Sequence, residues 1–263
     1  MTASLDDLRA ILRDLEDVVV AFSGGADSSL LAAVANDTLG SDHCHVVTAV
    51  SPSLAGREAQ DCADLAAEWG LRFSTVPTSE MENAAYRVND RDRCFHCKSA
   101  LMDALEPVLA VAGTSVVVLG VNVDDLGDHR PGQQAAAQRG ARFPLVESGF
   151  TKADVRRVSA ELGLRTWDKP AAPCLASRLP YGTPVSVSLL TQVERAEGAL
   201  HALGFADLRV RHYGDTARIE VPLTDLPRLI DQQAGVTAAV HAVGYRYVTV
   251  DLDGLRSGNL NGS

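Results

Sequence analysis

The sequence predicts an α/β fold built on a mostly parallel sheet covered on both faces. Three observations carry this: short β-branched apolar runs, helical stretches alternating with them, and a glycine turn where the first run meets its helix.

Leu5, Leu8, Ile11, Leu12 and Leu15 recur at helical spacing. Asp17 to Phe22 then reads as a buried strand ending in the turn Ser23-Gly24-Gly25. An Ala- and Leu-rich helix follows from Asp27 to Leu39, a strand from His45 to Val50, a helix from Arg57 to Trp69 and a strand from Arg72 to Val76. A helix from Cys97 to Val111 and a strand from Ser115 to Gly120 continue the alternation. In such a sheet ligands gather at the carboxyl ends of the strands. Residues 122–149, rich in Gly, Asp and Gln, read as loop and short helix. Thr151 caps a helix carrying Val155, Val158 and Leu162 and stopping at Gly163.

The stretch Lys169 to Pro180 is not a regular helix, because its prolines remove donors and push their neighbours toward extended geometry. We expect it to be the hinge between two domains, 1–170 and 171–263. The second reads as a small α+β unit: a helix from Ser186 to Leu203, strands Asp207 to His212 and Ala217 to Val221, a helical region from Thr224, and a strand Tyr245 to Asp251. The Gly/Asn/Ser-rich end from Arg256 to Ser263 is expected to fray.

A net charge of −10 disfavours nucleic acid as a partner, since the whole-protein field repels a phosphate backbone. No apolar run approaches the roughly 18 residues that cross a bilayer, and Met1 to Leu8 lacks the pattern of a leader, so a cytosolic protein is expected. Five cysteines in a reducing compartment serve packing, metal binding or catalysis rather than a disulfide scaffold.

A buried strand that delivers Ser23-Gly24-Gly25-Ala26-Asp27-Ser28 into a helix gathers bare backbone N–H groups and a helix's positive end around one cavity, which suits a phosphate. Gly24 and Gly25 let the anion approach closely, and Ser23 and Ser28 add hydroxyl donors. Asp27 would repel phosphate unless a divalent cation intervenes, so it is assigned to Mg²⁺. The spacing fits neither the lysine-terminated phosphate loop nor the dinucleotide fingerprint. The alternative is a tight turn with Asp27 or Ser28 as a helix cap. Past the strand ending at Gly120, Asn122, Asp124, Asp125, Asp128 and Arg130 crowd its carboxyl end, where carboxylates hold Mg²⁺ or cap helices.

Cys94 and Cys97 stand at C-x-x-C spacing, which binds metal, forms a redox pair or begins a helix with buried thiols. Three thiolates hold three irons of a cubane cluster and leave the fourth open, and Cys174 is the third candidate. Arg178 follows it, and its charge favours thiolate. Lys98 can offset developing phosphate charge. Cys44 and Cys62 read as core or surface residues. Arg209 and Arg211 either clamp a phosphate bidentately or lie on a solvated strand face opposite Glu220.

The loop Ser23 to Ser28 resembles that of the N-type ATP pyrophosphatases, which adenylylate their substrates. That resemblance places Val50 and Ser51 beside the adenine. With Arg93-Cys94-Phe95-His96-Cys97-Lys98, the segment Gly120 to Gly132, Pro173 to Arg178, Arg209 to His212 and Ala217 to Glu220, the chain from about Leu5 to Asn261 resembles the LarE family of ATP-dependent sulfur transferases. The resemblance implies ATP, Mg²⁺ and the adenylylation of a pyridinium biscarboxylate mononucleotide, followed by conversion to a thiocarboxylate in nickel-pincer nucleotide biosynthesis. It implies the three-cysteine branch, in which Cys94, Cys97 and Cys174 hold a [4Fe-4S] cluster, with a possible sulfide donor and a hexameric assembly. It also points to Glu197 as an acidic site residue, where the residue pattern alone gives an idle Glu on a surface helix. Rival expectations are a tRNA thiolase, an amide-forming synthetase, and a nucleotide-binding regulator that senses redox state or holds zinc.

Overall fold

A computed structural model describes residues 4–112, 115–127 and 131–256. The expected frayed end falls mostly outside them. The chain forms two compact units. One holds the residues up to Glu82 together with Cys94–Ala172, and the other holds Asn83–Arg93 and the residues from Pro173 onward.

The first unit begins with helix α1 (Leu5–Leu15), whose N-cap Ser4 accepts from the Asp6 N–H and which buries Leu8 and Leu12. Then β1 (Val18–Ala21), α2 (Ala26–Leu39), β2 (Cys44–Val50), α3 (Gly56–Glu68) and β3 (Arg72–Pro77) alternate. They are followed, after α4 (Ala84–Val88) of the second unit, by α5 (Arg93–Ala112) and β4 (Val116–Leu119). The four strands pair in parallel in the order β3-β2-β1-β4. Two apolar clusters explain why β1 reads Val18-Val19-Val20 without alternation. Val18 and Val20 pack with Leu30, Leu31, Leu65 and Phe150, while Val19 packs with Leu101, Leu105 and Val117. A strand covered on both faces needs apolar residues at every position. Helices α6 (Pro131–Gln138), α7 (Pro144–Glu147) and α8 (Lys152–Glu161) complete the unit. Thr151 and Asp154 form a capping box at the start of α8.

The second unit contains α9 (Val187–Ala202), β5 (Arg209–Tyr213), β6 (Thr216–Glu220), α10 (Leu226–Asp231), α11 (Gln233–His241) and β7 (Tyr247–Val250). Its sheet runs β5-β6-β7, antiparallel then parallel. Leu200, Phe205, Val210, Ile219, Val236 and Val240 fill its core. Residues 83–93 join this unit through Asn89, which is fully buried with φ +59°. Its amide donates to the carbonyls of Pro180 at 2.9 Å and Thr183 at 2.8 Å, and Arg93 reaches both the Asn89 side-chain oxygen and the Ala176 carbonyl. A division at residue 170 does not anticipate this excursion. The prolines keep Lys169 to Pro180 out of regular helix except for the 3-10 turn Leu175–Arg178. Among the described residues no helix is long and apolar enough to cross a membrane.

Candidate active site

The glycine loop lies between β1 and α2. Gly24 has φ +65°, which L side chains rarely adopt, and a Cβ there would stand 3.0 Å from the Cys62 sulfur. Ser28 ties the turn together: its hydroxyl accepts from the Ser23 N–H at 3.2 Å, lies 3.1 Å from the Ser23 hydroxyl and donates to the Gly25 carbonyl at 3.2 Å. Helix α2 is preceded by Gly25 as its N-cap, with no side-chain cap. Its first amides are therefore left to a ligand or solvent, which suits an anion.

Gly120, just past β4, sits under the first turn of α2. A Cβ on Gly120 would lie 2.5 Å from the Ser28 nitrogen and 2.7 Å from the Asp27 carbonyl carbon. Two residues on, buried Asn122 donates from its amide to Asp27 Oδ1 at 3.0 Å and accepts the Asp124 N–H at 3.0 Å. The Asn122 N–H donates to Asp125 at 3.2 Å. Asp27 Oδ2 takes the Lys152 ammonium at 2.5 Å, and the Lys152 N–H is held by Asp124 at 2.8 Å. The acid assigned to Mg²⁺ thus carries a lysine counter-charge on one oxygen and an amide on the other. Mg²⁺ binding at Asp27 would exchange with this ammonium.

Val50 ends β2, the neighbour of β1, and Ser51 follows it, its Oγ accepting the Ser53 N–H at 3.2 Å. Lys98 packs on the start of α6, where a Cβ on Gly132 would meet its Cγ at 2.8 Å. Asp128 and Arg130 lie outside the described residues. Cys94 and Cys97 fall on the first turns of α5, exposed and half-buried respectively, three residues apart and so on one helix face. Cys174, half-buried, precedes the 3-10 turn of the second unit. No cysteine is in a disulfide. Cys44 and Cys62 are buried, and burial pushes the Cys44 thiol up to about 12 and raises that of Cys62.

In the second unit the arginines are not on a solvated face. Arg211 is 3% exposed and binds Glu220 through two nitrogens at 3.1 and 3.0 Å, with a third bond to the Ser177 carbonyl at 2.7 Å. Arg209, 6% exposed, donates to the Arg256 carbonyl, and burial, with Arg211 and Arg178 nearby, lowers its pKa. Glu197 is not on an exposed helix surface either. It is buried, grips Arg178 at 2.9 and 3.1 Å and accepts the Val210 N–H at 3.0 Å. Arg178 in turn holds the carbonyls of Pro173 and Cys174, so it meets the cysteine through its backbone.

Among the described residues, no group of three or more His, Cys, Asp or Glu side chains is gathered as a metal site. Sequence reasoning missed Lys152, whose signal was a cation in the first turn of a helix, the end where the macrodipole disfavours it. It also missed Lys169, the residue that opens the proline-rich stretch.

A profile of the NAD synthase family matches residues 6–121. An uncharacterized protein of Synechocystis is 44% identical over 99% of this chain and 98% of its own length. A pyridinium-3,5-bisthiocarboxylic acid mononucleotide synthase from Lactiplantibacillus plantarum is 37% identical over 97% of this chain and 92% of its own. An uncharacterized protein of Methanocaldococcus jannaschii is 25% identical over 91% of each chain.

Proposed function

Because the chain belongs to the LarE family of ATP-dependent sulfur transferases, we propose that it adenylylates the carboxylate of pyridinium-3,5-biscarboxylate mononucleotide and converts it to a thiocarboxylate. The observation that carries this reading is the contact of Gly120 with Ser28. It presses the first turn of α2 onto the sheet and sets uncapped amides, with Asp27 beside them, at the carboxyl edge.

A carboxylate resists nucleophiles until one oxygen becomes a good leaving group. In the first step the substrate carboxylate oxygen attacks the α-phosphorus of ATP, and the bond to the β-phosphate oxygen breaks to release pyrophosphate. The amides of the loop and Ser23 offer donors to the phosphate oxygens, and Asp27 is the hard ligand suited to Mg²⁺. In the second step a sulfur nucleophile attacks the acyl carbon, and the C–O bond to AMP breaks. In this reading Cys174 is one of the three thiolates that would hold the group supplying that sulfur, so its own sulfur is not consumed.

Cys94, Cys97 and Cys174 are the residues that would hold a [4Fe-4S] cluster, and an all-thiol donor set suits it. When bound, the cluster would supply a labile sulfide. A homo-oligomer, by family likeness a hexamer, and a small-molecule sulfide donor complete the reading.

The test is to incubate the protein with ATP, Mg²⁺, sulfide and the biscarboxylate mononucleotide. Pyrophosphate and a thiocarboxylate should form together. Release of pyrophosphate that does not depend on the mononucleotide, or none at all, would sink the reading.

A further inference from the structure

The first unit holds a second cluster of charge near the loop, formed by residues other than Asp27 and its partners. A cavity of about 550 Å³ is lined by Arg57, Glu58, Asp61, Arg165, Thr166 and Lys169, among others. The Lys169 ammonium lies 3.7 Å from the position of a Cβ on Gly24, among the nearest atoms to that turn. Two of its three N–H donors are engaged, by Glu58 at 2.9 Å and Asp61 at 2.6 Å. Its third donor has no partner among the described residues. Its side chain is only 18% exposed. Burial would lower its pKa, but the bonds to Asp61 and Glu58 outweigh that and hold it raised, so it stays charged.

Thr166, which also lines this cavity, is 1% exposed, and its hydroxyl is shut off from the cavity space. Two carboxylates fix the ammonium in place without exhausting it. That is the arrangement of a preorganised donor rather than of a closed ion pair.

Resting on the function proposed above, we propose that Lys169 is a phosphate ligand of the glycine loop, with Glu58 and Asp61 as positioning residues that aim its free N–H at an anion held by Gly24. Lys152 then counters Asp27, while Lys169 meets the phosphate directly.

The test uses the full chain and two probes: inorganic pyrophosphate, which has no nucleoside, and adenosine, which has no phosphate. Wild-type protein should bind both. If it binds neither pyrophosphate nor ATP, the function proposed above fails rather than this inference alone. Lys169→Met should weaken pyrophosphate about tenfold or more and leave adenosine within about twofold, and Lys169→Arg should recover part of the loss. A purely structural lysine would move both affinities together, or neither, and that result overturns the proposal. Should Lys169→Met fail to fold, acylation of lysines in the wild-type protein, read by mass spectrometry, decides. Pyrophosphate should protect Lys169 and adenosine should not. Equal labelling under both would overturn the proposal.

Discussion

Gly120 and Ser28 approach so closely that no side chain fits between them: a Cβ on Gly120 would be 2.5 Å from the Ser28 nitrogen. The neighbour is backbone, so it cannot swing aside. Gly120→Ala should therefore lift the first turn of α2 from the sheet, costing about 1–3 kcal/mol of stability and at least about tenfold in ATP affinity, since misaligned amides lose much of their value. Denaturant unfolding and calorimetry check the two effects, and an unchanged affinity would contradict the assignment of this turn to ATP.

Asp27 shares its charge with Lys152 at 2.5 Å. Lys152→Met should leave the carboxylate with only Asn122, so that Mg²⁺ binds Asp27 more readily in the absence of nucleotide. Asp27→Asn should lose most of the Mg²⁺ dependence of ATP binding. A Mg²⁺ titration followed by calorimetry on both variants measures this. A Mg²⁺ response of Asp27→Asn matching wild type would remove Asp27 from the metal.

Glu197 and Arg178 form a buried pair, each side chain 9% exposed. Glu197→Gln keeps the shape and strands the guanidinium. Removing one partner of a buried pair costs about 3–5 kcal/mol, and urea unfolding should show a loss of that order. A change below about 1 kcal/mol would mean that water already compensates the arginine.

Asp61 gives a pH signature. Burial would raise its pKa, but the hydrogen bonds from Lys169 and Arg165 prevail and hold it below the ordinary carboxylate value. A depressed folded pKa contributes stability that is full above the unfolded value, about 3.9, and is lost as pH falls through the folded one. Wild type should therefore lose stability more steeply than Asp61→Asn as pH drops below about 4. Parallel curves from denaturation at graded pH would refute the pairing.

Cys174→Ala should still release pyrophosphate yet form no thiocarboxylate. Anaerobic reconstitution with iron and sulfide should load wild type and leave Cys97→Ala with markedly less iron. Equal iron in the two would end the cluster assignment.

Much of the first unit was legible in the sequence because its signals are local: Val18 to Val20 and Val116 to Val118 can only be strands buried on both faces, and a Gly-Gly turn marks where strand becomes helix. Asn89 was not legible. Its partners lie about ninety residues ahead, and nothing near it hints at them. Glu197 was readable in principle. It follows Val193 by four positions and precedes Leu200 by three, so it shares their buried face on α9. A carboxylate on that stripe needs a partner, which Arg178 supplies. The reach of Lys152 and Lys169 to the loop depends on how α8 and the segment after it pack, which no local pattern encodes.

The knot around Asn89 bears on how the polypeptide can be divided. A fragment starting at Pro173 would carry the whole three-stranded sheet yet lack the amide that satisfies the carbonyls of Pro180 and Thr183. Cutting at the apparent hinge therefore yields a C-terminal piece with a hole in it. Swapping that half between relatives requires transplanting eleven residues from the N-terminal half along with it.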